Sequence, residues 1–100
     1  MSWRHFFNGE MNLLFITLAK FKKKPTKEML AESAKLFEQV PKVGGKILGF
    51  YWTLGRYDAV VISEAPDEKT YLKVALKFAE MVSTESLVAV TSEEASKLVE

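Results

Sequence analysis

The chain has 100 residues, 14 Lys and Arg against 13 Asp and Glu, a formal net charge of +1 and no cysteine. That length fits one domain, the missing cysteines exclude disulfides, thiolate zinc sites and a cysteine nucleophile, and the near-neutral balance speaks against a general polyanion binder. No apolar run approaches the roughly 20 residues of a membrane span.

Met1 to Glu10 lack the apolar core of about 7–15 residues that marks a signal peptide. Together with the absent thiols this sets the expectation of a cytoplasmic protein. The charges are almost all Lys and Glu, and Asn8, Asn12 and Gln39 are the only amides. Thermophilic proteins share that usage.

Residues 1–10 read as an N-terminal extension and 11–100 as the folded domain. From Met11 to Lys20 the bulk is apolar at successive positions, as in a strand covered on both faces. A lysine-rich loop follows, ending at Pro25. Thr26 can cap a helix whose positions Leu30, Ala34, Phe37 and Val40 keep helical spacing. Pro41 and then Gly44-Gly45 stop it. A second strand is expected from Lys46 to Leu54 and a third from Tyr57 to Glu64, too closely joined for a parallel crossover and therefore a hairpin. Gly55 should take positive φ in its turn.

Asp67 can cap a second helix with the stripe Tyr71, Leu72, Ala75, Phe78, Ala79 and Val82. Ser86 to Thr91 read as a fourth strand. Thr91-Ser92-Glu93-Glu94 matches a capping box that opens a short final helix. The order β-α-β-β-α-β is the ferredoxin-like α+β pattern, two helices on one face of a four-stranded antiparallel sheet, plus a short C-terminal helix.

The strands are apolar on both sides. Strict alternation in the second puts Phe50, Trp52 and Leu54 on one face and Ile47, Tyr51 and Thr53 on the other. Two helices cover only one sheet face, so Leu13, Phe15, Leu14, Ile16, Val60, Val61 and Ile62 cannot all be buried by them. Each large apolar side chain left in water costs about 1.5–3 kcal/mol. A second sheet is the expected cover, with Phe15 and Trp52 the candidates for burial in a core or interface, and Phe15 and Val61 the positions where a charge would dissociate or unfold the assembly. The protein is expected not to be a monomer.

The run Gly49-Phe50-Tyr51-Trp52-Thr53-Leu54-Gly55-Arg56-Tyr57-Asp58, with Gly44-Gly45-Lys46, Val60-Val61 and Glu64-Ala65-Pro66-Asp67, resembles the GYD-domain family of the dimeric α/β-barrel superfamily. The resemblance covers about Met11 to Glu94. It implies two ferredoxin-like protomers whose sheets face one another, a homodimer or larger ring, and it supplies no substrate.

The candidate ligand-binding residues are Tyr51, Thr53, Arg56, Tyr57 and Asp58, at the hairpin end of the central strands. Arg56 has the planar donors to hold a carboxylate or phosphate, and the tyrosines offer hydroxyls to a carbonyl oxygen. A small anionic or carbonyl ligand is therefore expected there. The competing reading is a turn in which Asp58 serves backbone donors and Tyr57 packs. Phe50, Tyr51 and Trp52 fit a pocket wall or plain core. No catalytic residue stands out, and no metal site or cofactor is expected: His5 is the single histidine, and Glu64, Glu85 and Asp58 match no calcium loop. Lys20, Lys22, Lys23, Lys24 and Lys27 form a solvated loop more than a nucleic-acid surface. The leading expectation is a small-molecule-binding or regulatory oligomeric module. The alternative is a cofactor-free enzyme, monooxygenase- or isomerase-like, acting on a small carbonyl compound.

Overall fold

The long apolar run becomes the strand around which the others assemble. In the computed structural model, which describes residues 4–7 and 10–99, with side chains from Asn12 onward, the elements are β1 Arg4–Phe7, β2 Glu10–Phe21, α1 Lys27–Glu38, β3 Lys46–Trp52, β4 Ala59–Ala65, α2 Glu68–Ala75, β5 Val82–Ala89 and α3 Ser92–Lys97. Single 3-10 turns lie at Pro41–Val43 and Leu76–Phe78. β2 pairs antiparallel with β4 and with β5, and β3 flanks β4. The order β3-β4-β2-β5, with the helices in the two crossovers, is ferredoxin-like.

The expected four-stranded sheet gains a fifth strand. Leu13 pairs with Ala65 of β4 and with Arg4 of β1, while Leu14 pairs with Ala89 of β5. β1 and β5 therefore lie end to end along the same edge of β2. The physical reason is length: β2 runs back to Glu10, beyond the end of β5, and leaves that stretch of edge open to Arg4–Phe7.

Local signals place the helices as expected. Thr26, Asp67 and Thr91 accept hydrogen bonds from the backbone N–H of Met29, Thr70 and Glu94 at 3.1, 2.8 and 3.1 Å. Gly55 takes φ +107° in the β3–β4 turn. The largest boundary correction concerns the segment before β5. Val82, placed on the second helical stripe by its spacing, instead opens β5 opposite Phe21. The helix ends at Ala75 and its 3-10 extension at Phe78, because the chain must reach β2 in time to pair along its full length.

Register decides the faces. Leu13, Phe15, Thr17, Ala19 and Phe21 of β2 share the helix-covered face with Ala59, Val61, Ser63 and Ala65 of β4. Leu14, Ile16, Leu18, Val60 and Ile62 share the opposite, open face. Phe15 and Val61 are thus on the helix side, and charges there probe the core and not a sheet-to-sheet contact. A bulge at Leu48 shifts the register between Ile47 and Gly49. It moves Ile47 onto the helix side with Phe50 and Trp52, correcting the strict alternation. Leu54 lies beyond the strand and is fully exposed.

Leu13, Phe15 and Ala65 form the buried cluster, with Tyr71 packed on it from α2. The rings of Phe15 and Tyr71 stack at 4.0 Å with 13° between their planes. Phe15→Ala removes the anchor of that cluster and should cost about 3–5 kcal/mol. Urea unfolding followed by circular dichroism checks the figure.

Candidate functional site

The sheet is built from small side chains where the helices cross it. Thr17, Ala19, Ala59 and Ser63 occupy neighbouring positions on β2 and β4, and Thr84 joins them from β5. Such residues cannot fill the space between layers that large side chains usually close. A cavity of about 390 Å³ results, roofed by α1 and α2. That volume is at the small end of the roughly 300–1,000 Å³ typical of ligand pockets.

Aromatic rings line one end. Phe37 of α1 meets Phe50 edge-on at 5.1 Å and Phe78 at 5.2 Å. Trp52 lies 5.2 Å from Phe21 and 6.3 Å from Phe50. Trp52 is 56% exposed despite lining the cavity, so this end opens to solvent. Ile47, delivered by the bulge, completes the wall beneath it.

The other end is polar without being charged. The Tyr71 hydroxyl contacts Thr17 Oγ1 and Ser86 Oγ in hydrogen-bond geometry. Thr17 lines the cavity, whereas Ser86 is exposed in a shallower depression beside α2. Tyr71 links the two. The single charged residue among those lining the cavity, Glu64, belongs to the face of β4 turned away from the helices, and its carboxylate accepts from Asn12 Nδ2 at 3.4 Å there. Glu64 itself is 2% exposed.

The hairpin residues do not join this cavity. Asp58 Oδ2 accepts from the Phe21 N–H at 2.8 Å, and the Asp58 N–H donates to the Ala19 carbonyl at 2.8 Å. Thr53 Oγ1 donates to the Tyr57 carbonyl at 2.7 Å, and the Thr53 N–H to the Asp58 carbonyl at 2.9 Å. Both residues therefore hold the turn and the end of β2. Tyr51 lies on the open face with its ring against Gly49, where an added Cβ would stand 2.7 Å from the ring. Arg56 is exposed, and its carbonyl accepts from Lys20 Nζ at 3.3 Å. The Tyr57 hydroxyl donates to Glu85 Oε2 at 2.6 Å. Tyr57 and Glu85 are thus brought together, Thr53 is bonded to the backbone of Tyr57 and Asp58, and Tyr51 stands apart on the other sheet face.

Sequence reasoning missed Thr17, Tyr71 and Ser86. Thr17 carried a signal, as the one hydroxyl inside the apolar run from Leu13 to Ala19. Tyr71 carried none beyond its helical spacing. Among the described residues no group of three His, Cys, Asp or Glu side chains converges on a common point. No helix among them is long and apolar enough to cross a membrane.

An antiparallel sheet with both crossover helices on one face, enclosing an uncharged chamber, defines a ferredoxin-like α+β domain. Residues 15–99 match the model of the GYD domain, and the chain belongs to that family. The fold is similar to that of a transcriptional regulator from Neisseria meningitidis solved as a complex with L-Met, with a TM-score of 0.59 and 14% identity. The match covers 80% of this chain and 51% of that one, so the chain spans about half the length of its structural neighbour. No curated protein matches the chain by sequence.

The bond to Glu85 raises the pKa of Tyr57 above its ordinary value, with desolvation and the Glu85 charge adding and the Arg56 charge opposing. The folded chain holds this proton to higher pH than the unfolded chain does. The stability it contributes is complete below about pH 10 and falls as pH climbs through the raised value. Tyr57 should show this upward displacement in an NMR titration of its ring carbons. Glu85→Gln should lower its pKa by removing the carboxylate.

Proposed function

We propose that the protein is a cytoplasmic, homodimeric module that binds a small organic molecule in the cavity between sheet and helices. The observation that carries the reading is the cavity: small side chains on the sheet hold it open beneath aromatic rings, with a few hydroxyls placed among them. Pockets of that composition bury small ligands and orient them through few polar contacts. The structural neighbour, a regulator in complex with L-Met, is consistent with a binding role for this kind of domain.

Homodimerisation is supported by the open sheet face. Leu14, Ile16, Leu18, Val60 and Ile62 lie on it in register, and Tyr51 and Leu87, on the same side, are 56% and 44% exposed. A second copy presenting the same face would bury both, and a self-complementary patch is the requirement of a two-fold dimer. For an anionic or carbonyl ligand at the hairpin, the groups on offer are Tyr51, Arg56 and Tyr57, since Thr53 and Asp58 are engaged with backbone. The enzyme reading is less well supported, because the cavity's candidate acid–base group, Tyr71, has its hydroxyl engaged by both Thr17 and Ser86.

Thermal-shift screening against a metabolite library tests the binding role, because a ligand that binds only the folded state raises its melting temperature. Ala34 lines the cavity from an exposed position on α1. Ala34→Leu should abolish the shift given by any cavity ligand while preserving the fold. A library that produces no shift, or shifts indifferent to Ala34→Leu, overturns the reading. Ile16→Glu on the open face should yield monomers by light scattering; an unchanged dimer, or a monomeric unaltered protein, defeats the proposed assembly.

A further inference from the structure

We propose that the cavity's ligand is an uncharged, ring-bearing molecule with a carbonyl or similar acceptor, held through the Thr17 hydroxyl. The inference rests on the reading of the cavity as a ligand site and names what that site selects.

The first ground is charge. The cavity side chains are aromatic, aliphatic and hydroxyl-bearing, and the carboxylate of Glu64 is engaged by Asn12 on the other side of the sheet. A charged ligand group would be desolvated there without a partner of opposite sign, a cost far above that of a neutral polar group. A free amino acid would bring two such charges.

Shape supplies the second ground. Phe78, Phe37, Phe50 and Trp52 form a row of ring contacts beside one opening, with successive centroids 5.2, 5.1 and 6.3 Å apart. Rings prefer the offset and edge-on contacts that this arrangement offers to a flat guest.

Hydrogen-bond bookkeeping supplies the third. Thr17, Tyr71 and Ser86 each carry one hydroxyl proton. The two contacts among them use two of the three protons. One proton is always left to donate outward. When Ser86 donates to Tyr71 and Tyr71 to Thr17, the remaining proton leaves from Thr17, which lines the cavity as Tyr71 does. A ligand acceptor at that position selects this direction of the chain. The opposite direction spends the proton at exposed Ser86, where water takes it, and a Tyr71 that accepts from both neighbours keeps its own proton free beside Thr17.

Calorimetric titration of the full chain with 2-acetylnaphthalene, naphthalene and 2-naphthoate tests the proposal. The neutral ketone should bind tightest, and the carboxylate at least tenfold more weakly. Thr17→Val should weaken the ketone about tenfold and leave naphthalene within twofold. Thr17→Ser, which keeps the hydroxyl, should restore the ketone. Carboxylate binding equal to or tighter than the ketone overturns the ligand class while leaving the cavity reading intact. Unchanged ketone binding in Thr17→Val overturns the role of Thr17. Binding of none of the three overturns the proposal, and the metabolite screen then decides separately whether the cavity binds anything. If Thr17→Val fails to unfold cooperatively, the ranking of the three probes on the unaltered protein is decisive by itself.

Discussion

Strand β2 is hydrogen-bonded along both edges, to β4 from Leu13 to Ala19 and to β5 from Leu14 to Phe21. A strand so placed must bury its backbone polar groups in ladders on both sides, because orphaned buried amides are costly. Its register therefore dictates which residues of three other strands face the helices. The buried cluster of Leu13, Phe15 and Ala65 and the cavity beside it both follow from that one alignment. The N-terminal strand depends on it too, since it occupies the edge that β5 leaves uncovered.

Along the helix side of β2 the large Leu13 and Phe15 give way to the small Thr17 and Ala19 before Phe21 ends the row. The large end closes against Tyr71, and the small stretch does not close. β4 is small along most of the same face, with Ala59 opposite Ala19, Ser63 opposite Phe15 and Ala65 opposite Leu13. Interiors normally leave few voids larger than a water molecule. A chamber of about 390 Å³ lined in this ordered way thus separates the domain into a packed half and an open half. Aromatic rings gather at the open half because β3 delivers Phe50 and Trp52 there, and α1 delivers Phe37.

Two polar residues of the hairpin motif meet backbone demands. Asp58 serves the Phe21 amide where β2 ends, and Thr53 clamps the Tyr57 carbonyl across the turn. Gly55, Asp58 and Thr53 are thus explained by turn geometry. Tyr57 is the exception, reaching Glu85 of β5 and tying the hairpin end to the far side of β2. Turn residues that look chemical in a sequence often meet a backbone demand first, since each buried amide needs a partner.

The sequence by itself determined the kinds of element and their order, and with them the ferredoxin-like class and the family. The caps at Thr26, Asp67 and Thr91 and the turn at Gly55 were legible because each depends on atoms within three or four residues of one another. Residues 1–10 read as an extension in the sequence, whereas Arg4–Phe7 pair with β2 in the structure. What only the tertiary structure decided is everything set by pairing at a distance. The Leu48 bulge reassigns Ile47 to the other face, and the full length of β2 draws Val82 out of a helical pattern into β5. The hydroxyl contact between Thr17 and Tyr71 joins residues 54 positions apart. No periodicity encodes such a contact, because its geometry is the sum of strand register, helix length and crossover packing, none of which is a local property of the chain.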